Sequence, residues 1–129
     1  MLIVDIEETI QVGHPIVLTS NSESDPYGVV FEDDGETGYF YGIEYHNEIY
    51  DVVDAMWIYN VASVLDSLRP STVKIGWSED GMKAMLLING YPHGIFDFDS
   101  KRGYCRTNFP APFKNWSGHQ WLDQALDLF

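Results

Sequence analysis

The stretch from Gly28 to Gly42 constrains the fold more than any other, because it sets a glycine-rich turn between two runs of strand formers. Val29-Val30-Phe31 precede the turn and Tyr39-Phe40-Tyr41 follow it; such β-branched and aromatic residues suit a pleated, half-buried surface. Asp34-Gly35 is a hairpin-turn pair, and Gly35 and Gly38 reach positive φ without steric cost. The expected structure is a β-hairpin whose tip carries Glu32, Asp33, Asp34 and Glu36. Carboxylates spaced so closely repel one another and belong in water or against a cation. Three readings of the tip stand side by side: a solvated turn whose charge discourages edge-to-edge pairing, a face for the Lys/Arg surface of a partner protein, or a metal site. The run is too short to supply the ligands of an EF-hand calcium loop, and no metal is assigned to it.

The rest of the chain reads as support for such a sheet. Leu2 to Ile10 alternates β-branched residues with acids, as an edge or half-buried strand does, and Pro15 to Thr19 is a second short strand. Ser20 to Pro26 is polar and turn-rich, hence a loop. Tyr39, Tyr41, Ile43 and Tyr45 share one face of a strand that His46-Asn47-Glu48 breaks. Ile49 to Leu65 carries both a helical stripe and strong β propensity, and the reading adopted is a strand over Val52 to Val61 with a short helix or irregular turn before Pro70. Thr72–Trp77 and Met82–Ile88 flank the turn Ser78-Glu79-Asp80-Gly81 and form a second hairpin. Ile95, Asp97 and Asp99 fall on one face of the next strand and Phe96 and Phe98 on the other, which gives that strand an acidic outer side. Pro110 and Pro112 end the sheet. Ser117 followed by Gln120 is a capping-box pattern, so a short helix is expected to present Trp121, Leu122, Ala125, Leu128 and Phe129 to the sheet.

A chain of 129 residues suits one domain with one core, here taken as residues 1–129. Apolar residues at 45% and charged residues at 21% describe a globular chain, and aromatics at 15% favour strands. The net charge of -13 argues against nucleic acid or an anionic membrane as partner and for a basic protein. A lone Cys105 cannot form an internal disulfide and no Cys/His cluster has zinc spacing, which fits a reducing cytoplasm. The N-terminal residues lack the basic region of a signal peptide, and no window has the length of a membrane span. A cytoplasmic protein without cofactor is expected.

No catalytic signature stands out. His14, His46, His93 and His119 are scattered through turns, and Cys105 lies where a small buried hydrophobe is usual. His93 sits at the rigid turn Tyr91-Pro92-His93-Gly94, so one alternative is a pocket in which His93, Asp97, Asp99 and Arg106 converge. Lys101, Arg102 and Arg106 form the one basic cluster, expected to balance the acidic hairpin internally, with an anionic ligand as the alternative. Tyr and Trp exceed what a core of this size needs, and Tyr39, Tyr41 and Trp57 suit anchoring on a protein surface.

Val30–Tyr41, Ile58-Tyr59-Asn60-Val61, Trp77–Gly81, Ile88–His93 and Phe96-Asp97-Phe98 together resemble the motifs of a family of small bacterial proteins classed as a domain of unknown function, over roughly residues 28–112. The resemblance brings no catalytic assignment. It implies the company of small acidic single-domain bacterial proteins, which by kind are similar to the immunity proteins that neutralise secreted toxins.

The expected fold is α+β: a mainly antiparallel β-sheet in one domain, with a short C-terminal helix packed on it. The expected function is non-enzymatic binding of a basic partner such as a toxin domain. Glu32, Asp33, Asp34, Glu36, Asp97 and Asp99 would meet its Lys/Arg, while Tyr39, Tyr41 and Trp57 supply apolar anchors. The alternative is a small enzyme or ligand-binding domain around His93 and Arg106.

Overall fold

The computed structural model describes residues 1–23 and 26–129. Its strands are β1 (Ile3–Ile10), β2 (Ile16–Asn21), β3 (Tyr27–Asp33), β4 (Thr37–His46), β5 (Ile49–Asn60), β6 (Ser71–Trp77), β7 (Lys83–Ile88), β8 (Tyr91–Asp97) and β9 (Arg102–Cys105). They form two antiparallel sheets, one of five strands in the order β1-β6-β7-β8-β9 and one of four in the order β2-β3-β4-β5. The sheets pack face to face. Val29, Phe31, Phe40 and Met56 from the four-stranded sheet meet Val73, Ile75, Leu86 and Phe96 from the other, all with no exposed surface. Burying these side chains is the main drive for folding, at about 1.5–3 kcal/mol each against leaving them exposed. The expected Ser20–Pro26 loop starts later, because β2 runs through Asn21, and residues 24 and 25 of it lie outside the described set.

The hairpin forms as its residues require. Asp33 pairs with Gly38 across the tip, Gly35 has φ +97°, and Asp34 Oδ1 accepts the backbone N–H groups of Glu36 (2.9 Å) and Thr37 (2.8 Å). Gly38, unlike Gly35, does not take positive φ; it is required by space, because a Cβ there would lie 2.6 Å from the Tyr59 ring. The glycine lets Tyr59 cross the inner face and reach Asp33. In the second hairpin, Asp80 accepts from Ser78 Oγ (2.6 Å) and Met82 N–H (2.9 Å) in the turn between β6 and β7.

Four expectations change. β5 begins at Ile49, three residues before the expected start, and a two-residue turn at Asn47-Glu48 joins it to β4. Relative to β4 it carries one extra residue at Val53 and another at Ile58, and these bulges break the period of two and imitate a helical stripe. Ile43 is fully buried, although it sits between half-buried Tyr41 and Tyr45 on the strand.

β8 has no acidic outer side. Ile95, Phe96 and Asp97 are all buried, because β8 lies between β7 and β9 and both faces of its sheet are covered. The cover on the second face is the C-terminal segment, and it is not an α-helix. Ser117 does not cap; its N–H (2.9 Å) and Oγ (3.3 Å) donate to the Lys101 carbonyl, and bridges Arg102↔Ser117 and Cys105↔Gln120 lay residues 117–120 parallel to β9. A 3-10 helix at Asp123–Leu128 follows. The expected docking survives the change of conformation except at Leu122, which is exposed: Trp121, Ala125, Leu128 and Phe129 pack with Met85, Ile95, Leu87 and Tyr104 in a second apolar cluster.

Candidate functional site

The tail covers the outer face of the five-stranded sheet, and the outer face of the four-stranded sheet carries aromatic side chains in its place. Strand register sets Val17, Glu32, Tyr39 and Trp57 in one row across β2 to β5, and Thr19, Val30, Tyr41 and Ala55 in the next. The rings interlock. Tyr39 stacks on Tyr41 at 5.6 Å between centroids, Trp57 meets Tyr39 edge-on at 5.9 Å, and Phe109 meets Trp57 edge-on at 4.8 Å. Trp57 keeps 39% of its surface exposed, Phe109 49% and Val17 59%. A ladder of mutually supported rings left half in water has little conformational freedom left to lose.

Carboxylates border it. Tyr41 Oη donates to Glu32 Oε1 at 3.3 Å, and burial together with the Glu32 charge raises the Tyr41 phenol well above its usual range, so it stays a donor at any physiological pH. Asp34 and Glu36 stand exposed at the hairpin end. The backbone amides of Thr37 and Glu36 hold the Asp34 carboxyl below its ordinary value, so it remains ionised. At the opposite end of the sheet, Glu44 and Asp51 flank His46 at 3.6 and 3.4 Å, next to Tyr45 and Tyr50, whose rings meet edge-on at 5.6 Å.

Three of the acids singled out in the sequence lie elsewhere. Asp33 is buried and ties three elements together, accepting from Gly13 N–H (2.8 Å), Gly35 N–H (2.8 Å) and Tyr59 Oη (2.7 Å). Asp97 is buried at the end of β8, where it accepts from Asp99 N–H (3.0 Å), Ser100 N–H (3.2 Å) and Ser100 Oγ (2.8 Å). Asp99 is exposed, but it belongs to the turn after β8 on the five-stranded sheet. Tyr39, Tyr41, Trp57, Glu32, Asp34 and Glu36 are the set that the fold brings together.

The basic cluster does not balance the hairpin. Among the described residues, no ion pair includes Glu32, Asp33, Asp34 or Glu36; the pairs formed are Lys74–Glu7, Lys83–Asp80, the two His46 contacts, Met1–Glu79 and His119–Asp54. Arg106 is clasped between aromatic rings, 3.8 Å from the Trp121 centroid and 4.5 Å from that of Tyr91, and its Nε donates to the Pro92 carbonyl at 3.0 Å. Arg102 lies over Tyr104 at 4.8 Å and reaches the Gln120 carbonyl at 3.3 Å. Both arginines hold the tail.

The alternative pocket does not assemble. His93 and Arg106 are neighbours at the start of β8, where burial and the Arg106 charge lower the imidazole pKa. Asp97 and Asp99 lie at its far end, about 13 Å away at the rise of a strand. Among the described residues, no group of three or more His, Cys, Asp and Glu side chains is placed to hold a metal ion.

One polar pair escaped sequence reasoning. His119 and Asp54 have fully buried side chains; Nε2 lies 2.6 Å from Asp54 Oδ2, Nδ1 lies 2.6 Å from the Pro110 carbonyl, and Phe113 N–H donates to Asp54 Oδ1 at 3.1 Å. The Pro110 carbonyl can only accept, so Nδ1 carries a proton toward it, and Nε2 shares a hydrogen bond with Asp54 Oδ2. Burial opposes a charge on the ring, but the Asp54 hydrogen bond and charge, with the Pro110 carbonyl, raise the net pKa of His119. The one available hint was an acid within the strand-forming run Val52–Ile58, on the side that faces the core; its partner lies far along the chain and has no local signature.

The molecule is thus an antiparallel two-sheet β protein with one outer face covered by its own tail and the other aromatic, open and bordered by acids. It belongs to the family described as "Uncharacterized protein conserved in bacteria (DUF2251)", whose model matches residues 10–129. That span takes in β2 and the C-terminal segment, beyond the 28–112 over which the motifs alone carried the resemblance. An uncharacterized protein of Haemophilus influenzae is 37% identical over 133 residues, covering 95% of this chain and 83% of the relative. No solved structure matches the chain significantly. Among the described residues, no helix is long and apolar enough to cross a membrane.

Proposed function

We propose that this chain is a non-enzymatic binding protein whose open aromatic face docks on a basic protein, most concretely a bacterial immunity protein that covers a basic toxin domain. The observation that carries this reading is the row Glu32–Tyr39–Trp57 with its neighbour Tyr41: interlocked rings, half-exposed, beside acids that form no ion pair among the described residues. Tyr and Trp are the side chains that most often dominate binding energy when an interface closes over them. Glu32, Asp34 and Glu36 would lie at the border of that interface, where charge acts mainly on the rate of encounter and on the rejection of wrong partners. A toxin acting on an anionic substrate presents Lys/Arg, and these groups meet the acids when the face closes.

The test is protection. The product of the gene adjacent to this one is expressed in a sensitive host with and without this chain, and growth is followed. Protection by the native chain and its loss in the Tyr39→Ala/Trp57→Ala double variant, with the fold intact by circular dichroism, is the expected outcome. For the purified pair, the association rate constant should fall by about tenfold or more between low and high salt. A rate unchanged by ionic strength, or an acidic partner, contradicts the reading.

A further inference from the structure

At its β5 margin the aromatic face ends on a strand edge that the rest of the described chain leaves uncovered. An open edge presents unpaired backbone N–H and C=O groups, and proteins usually close or guard it. The other edges here are guarded. The 117–120 segment runs beside β9. β1 lies next to β2, where Ser20 Oγ donates to Asp5 at 2.6 Å, and β1 also carries an irregularity between Val4 and Ile6 together with three acids. The second half of β5 is occupied: Trp57 N–H donates to the Phe109 carbonyl (2.9 Å), the Trp57 carbonyl accepts from Thr107 Oγ1 (2.6 Å), and Phe113 N–H donates to Asp54 (3.1 Å).

From Ile49 to Val53, by contrast, no backbone hydrogen bond reaches beyond the ladder to β4 among the described residues. This stretch is apolar and in water, with Ile49 76%, Tyr50 47% and Val52 40% exposed. Five residues of strand span about 17 Å, the length of an ordinary β pairing. A cleft of about 290 Å³ opens beside the edge, lined by Val52, Val53, Phe98, Phe113 and Trp116 together with Glu44, Lys101 and Lys114.

We infer that Ile49–Val53 is a β-augmentation site that takes an extended segment in which apolar residues alternate with lysine or arginine. The inference rests on the docking reading and says which element of the basic partner makes the contact. Backbone ladder bonds supply affinity in this mode, and alternate side chains supply specificity. Alternation follows from the two sides of β5: Tyr45 and Tyr50 receive apolar side chains on one, and Glu44, Asp51 and the nearby Glu48 receive basic ones on the other. A second copy of this chain is disfavoured as occupant, since pairing two β5 edges about Asp51 sets that acid against its own equivalent between molecules of charge -13.

The experiment uses amide hydrogen exchange of the whole protein with the capped peptide Lys-Val-Lys-Val-Lys-Val. Controls are the same peptide with its central valine replaced by proline, and Glu-Val-Glu-Val-Glu-Val. The expected result is slowing of exchange by about tenfold or more, confined to residues 49–53, with the first peptide only. Asp51→Lys should weaken this protection severalfold in an otherwise unchanged protein. No protection at millimolar peptide, equal protection by the proline peptide, protection centred on Tyr39 and Trp57, or dimerisation of the protein through this edge would each overturn the inference. Protection at 49–53 alongside a failed growth test would sink the immunity reading and leave the edge site standing; rescued growth with no protection would do the reverse.

Discussion

The two outer faces of the sandwich are built from similar residues and put to different ends. On the five-stranded sheet, Met85, Ile95 and Leu87 lie under the tail, Trp121 and Phe129 pack down on them, and Arg106 and Arg102 clamp the tail through ring stacking and carbonyl contacts. On the four-stranded sheet, Tyr39, Tyr41 and Trp57 have one another and Phe109 as their ring partners among the described residues. One face has its partner within the chain. The other has none among the described residues, and the docking reading assigns its rings to binding where those of the first serve stability.

The largest effect should come from the buried lock beneath the covered side. His119→Ala strips the buried Asp54 of its imidazole partner, and a loss of about 3–5 kcal/mol in urea unfolding is expected, against little change if tail docking were incidental. The same pair sets a pH signature. Because the folded-state pKa of His119 is raised, its contribution is fully present below about pH 6.5 and is lost as pH rises through the folded value. The native Tm should therefore fall from pH 6 to pH 9 more steeply than that of His119→Gln, and parallel curves would show that the pair does not titrate as described.

Paired tryptophan variants sharpen the comparison at intermediate size. Trp121→Ala removes packing on the second cluster and the stack on Arg106, which should cost about 2 kcal/mol of stability. Trp57→Ala, half-exposed and held by two edge contacts, should cost about 1 kcal/mol or less while abolishing partner binding. Equal losses of stability at the two sites would erase the distinction between the faces. The smallest effect belongs to the acids: Glu36→Gln should leave stability within about 0.5 kcal/mol and show itself only as slower association. Asp33→Asn, though only a few residues away, should instead destabilise by about 2 kcal/mol, since three donors converge on that carboxylate.

What was legible in the chain was what is local. The turns at Asp34-Gly35 and Asp80-Gly81, the strands beside them and the shared face of Tyr39 and Tyr41 all follow from neighbours in sequence. The division into two sheets did not, because β1 pairs with β6 and leaves its neighbour β2 to the other sheet. The bulges of β5 disguised its period. Alternation in β8 correctly set Ile95 and Asp97 on one side, but only the distant tail makes that side an interior. Asp33 and Asp34 look alike in sequence and are separated by which way the pleat points them: one binds Gly13 and Tyr59 inside, the other caps its own turn in water.

The distinction between the faces is tested most directly by site-specific photocrosslinking in living bacteria, with a photoreactive phenylalanine analogue replacing Trp57 in one strain and Trp121 in another. The account expects one discrete adduct with a basic protein from position 57 and none from position 121. No adduct at 57, an acidic partner, or the same adduct from both positions would contradict it.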